Sequence, residues 1–174
     1  MKLINTNPPR LLRGFTLIEA MITVAVAAIL FTVAVPSFKD TIRQNRLTTQ
    51  ANEFITALNL ARSEAIRRSQ SVTVTPKVGG WNAGWVIEAI NPVTGLAEVP
   101  ILRDFEALQN NITFTQTNGG IAYTFQPSGF KIGLVTDTYN LCDATAPGSR
   151  GRVIRISTTG RPRIDNSLPA LVCP

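Results

Sequence analysis

The chain has 174 residues, 17 Lys and Arg against 11 Asp and Glu, a net charge of +6, two cysteines and no histidine. That length suits one domain behind an N-terminal segment rather than two. Without histidine there is no Ser-His-Asp or Cys-His nucleophile, two cysteines are too few donors for zinc, and the paired glycines sit in no phosphate loop before a helix. We therefore expect no enzyme, no cofactor and no metal.

Residues 1–14 form a short basic leader with Lys2, Arg10 and Arg13, ending in Gly14. The next 24 residues, Phe15 to Phe38, carry a single charge, Glu19. A helix needs about 20 apolar residues to cross the hydrocarbon core, so residues 15–38 predict a membrane span. The basic leader sets a cytoplasmic N-terminus. No Ala-x-Ala cleavage site closes the run, so the apolar segment stays in the chain. Thr16 and Glu19 have capping-box spacing, yet an acid in a membrane segment is disfavoured and usually has a partner. Pro36 predicts a bend.

Beyond it the helix continues to about Ser69. Leu47, Ala51, Phe54, Leu58, Ala61 and Ala65 recur every three or four residues and predict one buried face. Arg62, Arg67 and Arg68 fall off that stripe and read as a solvated face. From Ser71 the period becomes two. Strands are expected at 71–75, 85–90, 99–105, 112–116, 121–126, 151–158 and 161–164, with turns at Gly79-Gly80 and Asn82-Ala83-Gly84. The whole reads as α+β: a long helix (15–38 apolar all round, 39–69 amphipathic) followed by a mostly antiparallel β domain over 70–174.

Gly14-Phe15-Thr16-Leu17-Ile18-Glu19 resembles the class III signal of type IV pilins and pseudopilins. That likeness implies cleavage by a prepilin peptidase between Gly14 and Phe15, and N-methylation of Phe15. It also implies that Glu19 pairs with the new amine of a neighbouring pilin subunit during assembly. The chain would sit in the inner membrane as a single-pass protein with a periplasmic domain, then enter an extracellular pilus. Leu60-Ala-Arg-Ser-Glu-Ala-Ile-Arg-Arg68, Trp81-Asn-Ala-Gly-Trp85, Phe125-Gln-Pro-Ser-Gly129 and Leu141-Cys-Asp143 are similar to the GspH/FimT group of minor pilins. This implies a type IV pilin-like fold. In an exported chain Cys142 and Cys173 are expected to be bridged, outside most of the predicted strands; two free thiols are the alternative.

Charge is uneven. Between Arg150 and Arg163 lie Arg150, Arg152, Arg155, Arg161 and Arg163 with no acid. Aligned arginines form a polyanion footprint. Gly160-Arg161-Pro162-Arg163 resembles the Gly-Arg-x-Arg motif of FimT proteins, which implies DNA binding for uptake in natural transformation. Gly160 can turn the chain. Arg161 and Arg163 share one side of an extended segment, and Arg155 joins them if Thr158-Thr159-Gly160 makes a hairpin turn. The family places a Cys soon after the second Arg; here nine residues separate Arg163 from Cys173. The alternatives are a solvated basic strand, an adhesin for other polyanions, or a structural tip or initiation subunit of a pilus or type II secretion pseudopilus.

Overall fold

The computed structural model describes residues 14–109, 111–117, 122–133, 136–165 and 172–173. Of the expected leader only Gly14 falls among them. The side chains at 33 and 35–37, with the expected bend at Pro36, also lie outside the description.

Helix α1 spans Leu17–Arg68. Thr16 caps it: its hydroxyl accepts the Glu19 backbone N–H at 3.3 Å. At the far end Ser69 takes φ 52, and Gln70 N–H returns to the Ala65 carbonyl at 3.3 Å, a left-handed C-cap. The chain divides into two compact units, Met1–Thr41 and Ile42–Pro174. In the first, Phe15, Leu17, Ile18, Met21, Val24 and Phe31 are all exposed. Among the described residues no helix is long and apolar enough to cross a membrane.

The second unit holds the core. Leu47, Ala51, Phe54, Leu58, Ala61 and Ala65 are fully buried, as the spacing predicts, and Ala57 joins them. Among the described residues eight strands follow: β1 (Ser71–Pro76), β2 (Trp85–Ile90), β3 (Arg103–Phe105), β4 (Ile112–Gln116), β5 (Tyr123–Phe125), β6 (Asp137–Asp143), β7 (Arg152–Ile156) and β8 (Pro162–Ile164). They make two four-stranded sheets, ordered β3-β2-β1-β5 and β4-β6-β7-β8. Every pairing is antiparallel. Both sheets contribute side chains to one core. Phe54 is its hub, with ring centroids 4.8–5.4 Å from Trp81, Trp85, Phe114 and Tyr139.

Three expectations change. β6, an inner strand of the second sheet, is absent from the predicted set: its ends are Asp137 and Asp143, and Asp is depleted in strands. The strand expected from Val99 starts only at Arg103, because Pro100 has no N–H for a ladder. Cys142 and Cys173 are bridged, with an S–S distance of 2.10 Å. The bridge is anchored in β6, between β4 and β7, rather than outside the strands.

Candidate nucleic-acid interface

β7 and β8 form a hairpin whose register sets the arginines. Ile154 pairs with Ile164, Arg155 with Arg163, and Ile156 with Pro162. The connection is a tight turn: Gly160 N–H donates to the Ser157 carbonyl at 2.8 Å, and Ser157 N–H to the Arg161 carbonyl at 3.1 Å. Arg161 N–H also donates to the Ser157 hydroxyl at 3.1 Å. Gly160 has φ 79, and a Cβ there would lie 2.9 Å from Phe125 Cε1. Glycine is required by both conformation and space.

Strand parity then sorts the five arginines. Ile154 and Ile156 are fully buried, so even positions of β7 face the core and odd ones the opposite face of the sheet, where Val153 is covered as well. Arg155 faces out. Arg163, directly opposite, points the same way, with Cα atoms about 4.5–5.5 Å apart. Arg161 is two residues before Arg163, about 6.6–6.8 Å along the strand. These three line one concave surface of about 730 Å³ with Thr136, Thr138 and Ser157. Arg152 shares the inner parity of Ile154. Its Nε donates to Thr48 Oγ1 on α1 at 3.2 Å and one terminal nitrogen to the Gly151 carbonyl at 3.2 Å. Arg150 sits at an isolated bridge with Val172, and its carbonyl accepts the Gln44 side-chain amide at 2.9 Å. Neither lines the groove.

The three outward arginines differ in their ion pairing. Arg155 Nε lies 3.1 Å from Asp165 Oδ2, whose side chain is 3% exposed. Neither Arg161 nor Arg163 has a carboxylate partner among the described residues, and both are exposed. Lys131, although adjacent, is buried against Asp137 and Tyr123 and adds no accessible charge. On the opposite helix, Arg67 and Arg68 both bind Glu64, at 2.6 and 2.8 Å. Those hydrogen bonds hold the Glu64 carboxyl below its ordinary range.

Sequence reasoning missed Thr136, Thr138 and Asp165. The alternation Thr138-Tyr139-Asn140-Leu141 was the available signal for β6 and hence for Thr138. Asp165 became relevant only through tertiary register.

A long helix laid on antiparallel sheets, with a disulfide-tied basic hairpin facing out, defines a pilin-like subunit. Residues 50–160 match the family described as type II transport protein GspH, and residues 11–35 match the prokaryotic N-terminal methylation motif. The chain belongs to the GspH family. A fimbrial protein of Pseudomonas aeruginosa is 30% identical over 91 residues, 51% of this chain and 58% of that protein. The chain thus matches little more than half the length of that relative. Among solved structures, the type IV minor pilin FimU of P. aeruginosa strain PAO1 superposes with a TM-score of 0.63 at 24% identity, over 76% of this chain and 98% of that one. The minor pseudopilin EpsH of the type 2 secretion system of Vibrio cholerae gives 0.53 at 15% identity, over 69% and 96%. These likenesses establish the fold.

Proposed function

We propose that this chain is a minor type IV pilin whose β7–β8 hairpin binds extracellular DNA through its phosphates, for uptake in natural transformation. The carrying observation is that Arg161 and Arg163 stand side by side on an outer sheet face without acid partners among the described residues, along a groove that hydroxyl side chains also line. Arginine forks suit phosphate, and such contacts carry little base information. Cleavage after Gly14, methylation of Phe15, anchoring by residues 15–38 and the pairing of Glu19 with a neighbouring subunit's amine complete this reading. They rest on the sequence and on the methylation motif at residues 11–35.

The test uses the full chain in detergent and measures duplex binding against salt. With two free arginines, log K against log salt should slope at about −1.8, and non-specific affinity should lie around 10⁻⁴–10⁻⁶ M at physiological salt. Changing Arg161 and Arg163 to Gln should abolish both. Changing Arg67 and Arg68 to Gln should change neither, because Glu64 already holds those charges. A parent that binds no duplex at low salt sinks the DNA reading.

The likeness to EpsH and the GspH family match favour a second reading, in which the same hairpin seats an acidic face of another subunit in a pseudopilus. In that case the Arg161 and Arg163 variants lose filament incorporation rather than DNA binding.

A further inference from the structure

The groove does not end at the hairpin tip. Gly160 rests on the segment after β5: a Cβ there would lie 3.2 Å from the Lys131 backbone nitrogen. Two residues earlier, a Cβ on Gly129 would lie 2.7 Å from Ile66 Cδ1 and 3.3 Å from Arg62 Nε. Residues 129–131 therefore bridge the hairpin to the outer side of α1. From peptide geometry, Arg62 Nε and Gly160 lie within about 13 Å of each other. Arg62 has no carboxylate partner among the described residues, unlike Arg67 and Arg68.

Between these cations lies apolar surface. Phe130 is 51% exposed, Ile132 55% and Ile66 52%. Phe130 and Ile132 flank the bridge between Phe125 and Lys131, with the Ile132 N–H on the Thr124 carbonyl at 2.8 Å. The buried Lys131 points to one side of this short extension, so its two neighbours point to the other. Single exposed apolar residues are ordinary, but three of them on and beside residues 129–132, next to arginines without a carboxylate partner among the described residues, invite a partner that is both flat and anionic. A DNA duplex offers phosphates but keeps its base faces stacked inside. An unpaired strand offers both.

We propose that residues 161–163, Phe130 and Arg62 form one track for a single DNA strand. Phosphates lie at Arg161, Arg163 and Arg62, and one base stacks on the Phe130 ring. This rests on the DNA-binding reading above and specifies its preferred substrate: frayed ends or unpaired stretches bind tighter than intact duplex.

The test compares a 20-nucleotide oligo-dT, an abasic strand of the same length and a 20-bp duplex, using the full chain in detergent. The parent should bind oligo-dT more tightly than either of the others. Phe130→Ala should weaken oligo-dT binding by about fivefold to 100-fold and leave abasic and duplex binding unchanged. Phe130→Leu, which keeps an apolar side chain in the fold, should weaken it similarly, and Phe130→Trp should restore it. Arg62→Gln should weaken oligo-dT and abasic strand alike. If the Phe130 variants bind oligo-dT as the parent does while the Arg161 and Arg163 variants do not, the track is wrong and the arginine groove stands. If the parent binds none of the three, both fall.

Discussion

Arg155 and Arg163 face each other across the β7–β8 ladder, and Asp165, two residues beyond Arg163, turns back to pair with Arg155. Like charges directly opposite repel. Asp165, buried beside Arg155, relieves that repulsion, leaving Arg163 with its full charge toward solvent.

Asp165→Asn should therefore release Arg155 to a third phosphate. The salt slope for duplex binding should steepen from about −1.8 to about −2.7, with tighter binding at low salt and a lower Tm. Both are read from one salt titration and one melting curve. An unchanged slope would mean that Arg155 cannot reach the ligand.

Gly160→Ala places a side chain at φ 79 against the Phe125 ring. A strained residue of this kind costs about 1–3 kcal/mol. The Tm should fall and amide exchange at Ser157–Arg161 should accelerate. Wild-type stability in that variant would show that the turn relaxes freely.

Reduction of Cys142–Cys173 should loosen the tail first. Cys173 N–H donates to the Ser149 carbonyl at 3.0 Å, and Gly148 N–H to the Cys173 carbonyl at 2.9 Å. The bridged residues are 31 apart, worth roughly 3–4 kcal/mol on the loop-entropy account. Hydrogen exchange should rise at residues 148–152 while β1 and β2 stay protected. Equal loss in both sheets would assign the bridge a global role.

Acid should weaken the junction of β6 with α1. Burial alone would raise the Asp143 pKa, but hydrogen bonds from the Thr145 hydroxyl and N–H, then Arg43 and Arg46, outweigh it and hold it below its ordinary value. A carboxyl with a lowered folded-state pKa stabilises the fold above its unfolded pKa, near 3.9. That contribution disappears as the pH falls through the folded value. Urea midpoints of the parent should drop toward those of Asp143→Asn as the pH falls from about 5 to below the unfolded pKa near 3.9. Parallel curves would remove Asp143 from the account.

The helix face was legible because Leu47 through Ala65 repeat at the helical period and nothing interrupts them. The hairpin was legible in outline, since Thr158-Thr159-Gly160 separates two short apolar strands. Arg152-Val153-Ile154-Arg155-Ile156 already carried the sorting of the arginines: Arg152 shares parity with two isoleucines, so it could not face the same way as Arg155. Charge counting treated the five as one patch and hid this. The Asp165 contact and the approach of Arg62 to Gly129 were not legible, because each depends on how distant segments pack.

The bridge has a mechanical meaning if a retracting filament hauls on DNA. Load would enter near Arg161 and leave through α1. Cys142–Cys173 closes a covalent ring around β7 and β8, giving tension two routes from Arg161 back to β6. Without the bridge, a peeled β7 could pay out about 65 Å of chain between Cys142 and Arg161. With it, the shorter arm from Arg161 to Cys173 goes taut after about 40 Å. The hairpin behaves as a tether with a fixed stop, and its covalent hold on β6 does not depend on the three residue pairs that zip β8 to its neighbour.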